Sequence, residues 1–284
     1  MEVKSVEELY QISNHLRQLV ITMLENAGSG HSAGSLGMAD VFTALYFNIL
    51  KHNPKKPHWK DRDRVILSNG HICPILYASL AHSGYFEEKE LLTFRKINSR
   101  LQGHPHYQSV PGVENTSGSL GQGLSQAIGI ALSLRLNGKN NQVYALLSDG
   151  EHQEGQTWEG YLFANAQKLA NLTVLIDRNN IQIDGLVENL VPLNDLKRKI
   201  AEFGWQVLEI DGHNMEQIIA ACQQAESNQV GPTAIICQTI PGKGVDFMES
   251  LPAWHGKPPD EKQAQLALKQ LRSLNNKITC HQLS

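Results

Sequence analysis

VYALLSDGEHQEGQTWEGYLFANAQKLANLTVLIDRNN, residues 143–180, is the stretch whose reading decides the fold. It opens on an apolar run, 143–147, long enough for one buried strand. Asp149-Gly150 breaks the run. Residues 156–169 then carry Trp158, Leu162, Phe163, Ala166 and Leu169 at spacings of three and four, the stripe of an amphipathic helix. Asn171 stops that helix, 172–176 is a second apolar, β-branched run, and Asp177-Arg178-Asn179-Asn180 ends it. Strand, helix, strand is the parallel crossover unit. Both strand ends then reach one edge of the sheet, where ligands of open α/β sheets bind. Asp-Gly alone reads as a turn followed by a helix N-cap. With Asn179 at the next strand end, a carboxylate and an amide oxygen converge there. They can hold a hard divalent cation such as Mg²⁺, with phosphate oxygens and water completing its shell. Gly150 lets backbone N–H groups approach a phosphate.

Outward from this unit, strands and helices alternate. Helices are expected over 6–26, 38–50, from Pro74 to His82, and over 87–97 (exposed, of mixed charge), 124–136, 196–203, 215–225 and 261–274. Strands are expected over 64–67, 205–210 and 233–238, and residues 29–35 read as a glycine-serine loop. Asn214 caps the helix after it, with Ile218, Ile219 and Cys222 inward. The last ten residues look loose. The pattern predicts an α/β fold, a parallel sheet flanked by helices on both faces, in one domain. That domain spans 1–284, with a core of about 6–256 and a helical extension over 257–284.

Composition excludes several classes. A net charge of −3 makes no case for nucleic acid, and the clusters at Lys55-Lys56 and 197–199 read as solvated faces. Cys73, Cys222, Cys237 and Cys280 are scattered without a CxxC spacing, which suits reduced thiols in a cytoplasmic protein. The N-terminus is polar and acidic, without a signal peptide, and no apolar run reaches the length of a membrane span. Histidines recur on glycine-flanked turns: His31, His71, His104, His106 and His255. His106 reads as a surface residue. The glycine-rich turn 118–123 precedes the motif strand, so it is not a dinucleotide fingerprint.

Asp149-Gly150, the helix and Asn179-Asn180 closely resemble the thiamine-diphosphate motif, GDG followed by NN, with Ser148 in place of the first glycine. QEG at 153–155 and IDG at 183–185 narrow the resemblance to the transketolases. In register with these stand SGH at 29–31, LSNGH at 67–71, GHP at 103–105, GSLGQG at 118–123, GKG at 242–244 and WHGKP at 254–258. The resemblance implies the diphosphate-domain fold, with thiamine diphosphate and Mg²⁺ (or Ca²⁺ or Mn²⁺) as cofactors. It implies that Asp149, Asn179 and the carbonyl of Ile181 ligate the metal. His71, Gly150 and His255 would contact the diphosphate, and Gly118 and Leu120 the two rings. His31, His104 and His255 would hold sugar hydroxyls and shuttle protons. Lys243 would add positive charge near the cofactor. Glu154 and Glu159 resemble the carboxylates that link two active sites across an interface, although acids at a helix start are also favoured by its dipole.

In that family the glutamate that activates the cofactor's pyrimidine, and the arginines that bind sugar phosphates, lie in a second, pyrimidine-binding domain. No match to it occurs here. The resemblance therefore implies the N-terminal subunit of a split transketolase, passing a two-carbon ketol unit from a ketose to an aldose, either one phosphorylated or not. Its partners would be a C-terminal subunit carrying the pyrimidine domain, in an α2β2 heterotetramer, and small sugars, with neither nucleic acid nor membrane. Pentose phosphates are the family's usual sugars. Rivals are another thiamine-diphosphate subunit (a deoxyxylulose-phosphate synthase half, or a 2-oxoacid dehydrogenase α-subunit) and a non-catalytic scaffold of the same fold. The histidine set argues against the oxoacid enzyme, which grips no polyol, and the intact Asp149 and Asn179 argue against the scaffold.

Overall fold

The strand–helix–strand unit is present as read. Val143 pairs with Leu172 and Ser148 with Asp177 in parallel register. The computed structural model describes residues 4–280, with side chains from 4 to 274. In chain order these residues form α1 (Val6–Ala27), α2 (Ala33–Gly37), α3 (Ala39–Ala44), β1 (Arg64–Leu67), α4 (Cys73–His82), α5 (Gln122–Leu136), β2 (Val143–Ser148), α6 (Gly155–Ala166) and β3 (Leu172–Arg178). A short hairpin of β4 (Ile181–Gln182) and β5 (Gly185–Leu186) follows, then α7 (Val187–Leu190), α8 (Leu196–Glu202), β6 (Gln206–Asp211), α9 (Met215–Ser227), β7 (Thr233–Gln238) and α10 (Glu261–Cys280). The main sheet runs β1-β2-β3-β7-β6, every neighbour parallel.

Every residue of β2 is buried, because both faces of the sheet are covered. Side chains alternate along each strand. Tyr144, Leu146, Leu175 and Ile235 join one core with α1, α3, α4 and α10. Val143, Ala145, Leu147, Val174 and Ile176 join the other with α5, α6 and α8. The first helix is closed at both ends by local hydrogen bonds. Glu8 N–H donates to Ser5 Oγ (3.3 Å) and Ser5 N–H to Glu8 Oε2 (2.7 Å), a reciprocal capping box. At the other end Gly28, at φ 63°, donates to the carbonyls of Leu24 and Glu25.

The structure departs from the sequence reading at several elements. The glycine-serine loop is loop only to Ser32, since Ala33–Gly37 is a buried helical turn. The helix expected over 38–50 is α3 followed by a π-turn, Leu45–Ile49. Its apolar residues do not show periodicity, because it is buried on all sides. The helix expected over 87–97 is a 3₁₀ segment, Glu88–Thr93, after which Arg95 and Asn98 take positive φ. On α6 the apolar stripe is not the buried face: Leu162 and Phe163 are exposed, and Thr157, Gly160, Tyr161 and Ala164 are buried. Gly160 is required there, since a Cβ would stand 2.9 Å from Leu124. The last helix runs to Cys280, and 281–284 lie outside the described residues. Cys73, Cys222 and Cys237 are buried free thiols. Among the described residues no helix is long and apolar enough to cross a membrane.

A buried charge network joins α1 and α3 to the turn after β6. Arg17 Nη1 and Nη2 donate to Asp40 Oδ1 (3.1 Å) and Oδ2 (2.5 Å), and Arg17 Nε donates to the carbonyl of Leu36 (3.1 Å). His213 Nε2 accepts from Ile240 N–H at 2.8 Å, so its Nδ1 carries the proton and donates to Asp40 Oδ2 at 2.8 Å. Burial alone would raise the Asp40 pKa, but Arg17 and His213 hold it well below the usual carboxylate range. Removing the cation strands a buried charge. Arg17→Met is therefore expected to cost about 3–5 kcal/mol in denaturant unfolding at neutral pH, and a loss under 1 kcal/mol would show the pair to be solvent-screened.

Candidate active site

Both strand ends at the centre of the sheet carry carboxylates where water is excluded. Asp149, 1% exposed, follows β2. Its Oδ1 accepts from Gly150 N–H (2.7 Å), and its Oδ2 from Asn180 N–H (2.6 Å) and Arg178 Nη1 (3.2 Å). Arg178 also reaches Glu188 Oε1, at 2.5 Å. These bonds tie the end of β2 to the segment after β3. Asn179 Oδ1 accepts from Ile181 N–H (2.9 Å), and Asn179 Nδ2 donates to Asp177 Oδ2 (2.8 Å). Asp177 is fully buried, and its Oδ1 accepts from Thr239 Oγ1 at 2.5 Å. Asp177 thus orients the amide of Asn179 with its oxygen turned away from the strand, as outer-shell partners do for metal ligands.

The charges here are costly. Burial raises the Asp149 pKa despite the ion pair with Arg178, because desolvation outweighs the N–H donors of Asn180 and Gly150 and the guanidinium. Burial, with the nearby Asp149 carboxylate, pushes Asp177 up to about 7. A charge that burial penalises is one that a bound cation would favour. The donor set offered by Asp149, Asn179 and the Ile181 carbonyl is all oxygen, the set a hard divalent cation takes.

The four glycine-flanked histidines gather at the same edge. The rings of His31, His71 and His255 form a triangle, with centroids 5.2 Å (His31–His71), 5.6 Å (His31–His255) and 5.2 Å (His71–His255) apart. His31 follows Gly30, whose φ of 128° excludes a side chain and whose Cβ would strike Leu24. His71 is the middle residue of the 3₁₀ turn Gly70–Ile72 after β1, and His255 caps the 3₁₀ turn Pro252–Trp254. His104 packs over Gly118, where a Cβ would lie 3.5 Å from its ring. Burial, with His255, Arg95 and His104, pushes His31 down to about 4. Burial, with His255, His31 and His104, holds His71 well below the usual imidazole value. Burial lowers His255, and burial with Arg95 lowers His104. At neutral pH all four are therefore neutral imidazoles able to accept a proton. Ring nitrogens Nδ1 of His31 and His255 are buried without a protein partner, as are both amide atoms of Asn69 and Ser117 Oγ. Unpaired polar atoms beside an oxygen donor set fit a polar, anionic ligand with a divalent cation.

The remaining residues from the sequence reading take varied places. Gly150 opens a 3₁₀ turn directly after Asp149. Gly118 and Leu120 lie on the glycine turn against β1, where a Cβ on Gly70 would stand 2.9 Å from Gly118 N. Lys243 is on the segment after β7, which is fixed to α2 by Gly242 N–H donating to the Ala33 carbonyl (2.9 Å), and its Nζ is 3.9 Å from Glu249. Glu154 and Glu159 are exposed at the start of α6, and His106 is exposed. Sequence reasoning missed Asp177, Asn69 and Glu151. The signal for Asp177 was a carboxylate inside an apolar strand. Glu151 is fully buried; its Oε1 accepts from Ser68 Oγ and from Gly121 N–H (2.6 Å), and its Oε2 from Ser148 N–H (3.3 Å). It thereby pins the glycine turn to the ends of β1 and β2, and burial pushes it up to about 7. A largely apolar cavity of about 670 Å³, lined by Trp158, Val191, Leu193 and Phe203, includes none of the four histidines.

Residues 9–277 match the family described as "Transketolase, thiamine diphosphate binding domain". The chain is 39% identical over 264 residues to the 6-deoxy-6-sulfo-D-fructose transketolase subunit of Clostridium sp. (strain MSTE9), covering 93% of this chain and 96% of that protein. It is 35% identical to an apulose-4-phosphate transketolase subunit of Phocaeicola vulgatus, covering 96% and 97%. Against human transketolase the identity is 36%, over 95% of this chain and 43% of the human protein. The crystal structure of Campylobacter jejuni transketolase superposes with a TM-score of 0.88 at 36% identity, over 95% of this chain and 43% of that one. The chain thus spans less than half of these longer relatives and nearly all of the two subunits.

The depressed histidine has a direct readout. A pH titration of the His31 imidazole by NMR is expected to show a midpoint near 4, well below the ordinary 6.5. Between those values the unfolded chain binds a proton that the folded chain refuses. The contribution of His31 to stability is therefore full above 6.5 and falls as the pH drops toward 4. A midpoint near 6.5 would mean that the triangle is open to water.

Proposed function

Because this chain belongs to the transketolase family through its thiamine diphosphate binding domain, we propose that it is the N-terminal subunit of a split transketolase. It moves a two-carbon ketol unit from a ketose to an aldose. The observation that carries the reading is the histidine triangle at the same sheet edge as the Asp149–Asn179 pair. Such a grouping combines polyol-gripping bases with the oxygen set for a metal-diphosphate group. The division into subunits is supported by the two relatives named as subunits, each matched along nearly its whole length.

Thiamine diphosphate, when bound, supplies the electron sink for breaking a carbon–carbon bond beside a ketone. The protein's residues do the rest. Asp149, Asn179 and the Ile181 carbonyl hold a divalent cation, Mg²⁺ in this reading. Gly150, His71 and His255 meet the diphosphate, with Lys243 adding positive charge nearby. Gly118 and Leu120 lie against the rings. His31, His104 and His255, neutral at pH 7, accept hydrogen bonds from sugar hydroxyls and take the proton from the hydroxyl at C3 as the C2–C3 bond opens. They return it to the acceptor's carbonyl oxygen when the new bond forms. The partner is a chain carrying the pyrimidine domain and its activating carboxylate, two copies of each completing an α2β2 assembly. The substrates are small ketoses and aldoses, phosphorylated or otherwise acidic as in the two named relatives, and the setting is the cytoplasm.

Two measurements test this. Asp149→Ala in the assembled complex is expected to abolish Mg²⁺-dependent binding of thiamine diphosphate, since the carboxylate is the charged protein ligand of the set. Unchanged affinity would remove Asp149 from the metal shell. The purified single chain, given cofactor, Mg²⁺, a ketose and an aldose, is expected to show no ketol transfer until the pyrimidine-domain chain is added. Full turnover by the single chain would refute the subunit reading.

A further inference from the structure

A second cluster of metal-ligating side chains lies outside this site. His15 projects from the middle of α1, His82 is the last residue of α4, and Glu88 opens the 3₁₀ segment Glu88–Thr93. His82 Nδ1 is 2.6 Å and His15 Nε2 3.5 Å from the same Glu88 Oε1. The three ligand atoms all lie within 4.8 Å of one another. The imidazole planes are tilted 51° at a centroid distance of 4.8 Å, so each ring directs an edge nitrogen at the carboxylate rather than stacking flat on the other. The three side chains are 29–41% exposed, which leaves the cluster reachable from solvent.

We propose that His15, His82 and Glu88 form a binding site for a divalent transition ion of the zinc class, which staples α1 to the segment following α4. Two imidazole nitrogens and one carboxylate oxygen are the donors that Zn²⁺ takes and that Mg²⁺ and Ca²⁺ do not prefer. Donors about 2.1 Å from a tetrahedral ion stand about 3.4 Å apart. The separation between His15 and Glu88 already matches that, and rotation of the Glu88 side chain opens the shorter contact to His82. Three protein ligands leave the fourth position to water. On binding, the proton that His82 Nδ1 donates to Glu88 leaves that nitrogen, released to water or returned to the ring at Nε2. Each imidazole then gives its inward lone pair to the ion and carries its remaining proton on the nitrogen facing away from Glu88. The ligands come from three separate stretches of chain, so no motif spacing announces them.

The location gives the staple a purpose. Beyond His15, α1 leads to Gly30-His31, and beyond Glu88 the chain leads to Gly103-His104. The same two elements are joined a second time nearer the histidines. There Asn26 Nδ2 donates to the Leu92 carbonyl (2.5 Å) and Lys96 Nζ to the Asn26 carbonyl (2.5 Å). An ion at the outer end would fix the pair at both ends without touching the active site.

The test uses the full chain, freed of metal by chelation and titrated with Zn²⁺ by calorimetry. Excess Mg²⁺ is present to mask the Asp149 oxygens, and thiamine diphosphate is left out. Co²⁺ replaces Zn²⁺ in a parallel run read by its visible d–d bands. One site per chain is expected. Affinity should fall in His15→Ala and in His82→Ala by at least the ~10-fold that loss of an outer-shell partner costs. It should be unchanged in His255→Ala and Asp149→Ala. The melting temperature of the wild type should rise with Zn²⁺ concentration, and that of His15→Ala should not. Circular dichroism checks that each variant is folded. No Zn²⁺ site in the wild type, wild-type affinity in both His15→Ala and His82→Ala, or loss of the site in His255→Ala or Asp149→Ala would each overturn the proposal.

Discussion

The carboxylate of Asp149 is the joint that ties together this edge of the sheet. It sits at the end of β2, beside the central strand β3, and accepts N–H groups from both sides, from Gly150 next in the chain and from Asn180 after the neighbouring strand. Parallel pairing puts Ser148 level with Asp177. The bond to Asn180 therefore closes the gap between two strand ends and sets where Asn179 begins its turn. A second buried carboxylate, Asp177, then orients the Asn179 amide through Nδ2 while being held itself by Thr239 from the end of β7. Three adjacent strands thus contribute to one small polar centre. The desolvation that raises both acids is met by backbone donors, a guanidinium and a threonine hydroxyl.

Around that centre the histidines are tuned by the same force with opposite sign. Burial disfavours charge, so carboxylates rise and imidazoles fall. Mutual repulsion among His31, His71, His104 and His255 adds to the fall for His31 and His71. Neutral imidazoles at neutral pH can hold hydroxyl groups and take up a proton. Their ring orientations come from loops with little regular structure of their own. Those loops are fixed by Gly30, by the packing of Gly70 against the glycine turn, and by Glu151 pinning that turn to the ends of β1 and β2.

The four histidines and the Asp149–Asn179 pair make a polar site, while an apolar cavity lined by Trp158 and Phe203 includes none of these residues, and Leu162 and Phe163 stand out from α6. These features agree with a family whose longer members, the human and Campylobacter proteins, extend well beyond the matched region. They also agree with relatives that are named as subunits and that match this domain over nearly their whole length.

Much of this was legible in the sequence, and the reason is local. A strand buried on both faces must be an unbroken apolar run, so 143–147, 172–176 and 233–238 announced themselves. Asp149 and Asn179 then stood out as polar residues at the ends of those runs. Helix ends at Gly28 and Asn214 are equally local, being set by hydrogen bonds within a few residues. The tertiary structure decided what depends on contacts between distant stretches. It chose Thr157, Tyr161 and Ala164, not Leu162 and Phe163, as the buried face of α6. It turned 45–49 into a π-turn, where packing overrides the 3.6-residue period, and 88–93 into a 3₁₀ segment that buries Leu91 and leaves Leu92 exposed. It gave Asp177 and Glu151 their buried roles, which no spacing encodes, because their partners Thr239, Ser68 and Gly121 are remote in the chain. Periodicity records which side of an element meets the core; which polar groups meet each other is fixed only when the elements pack.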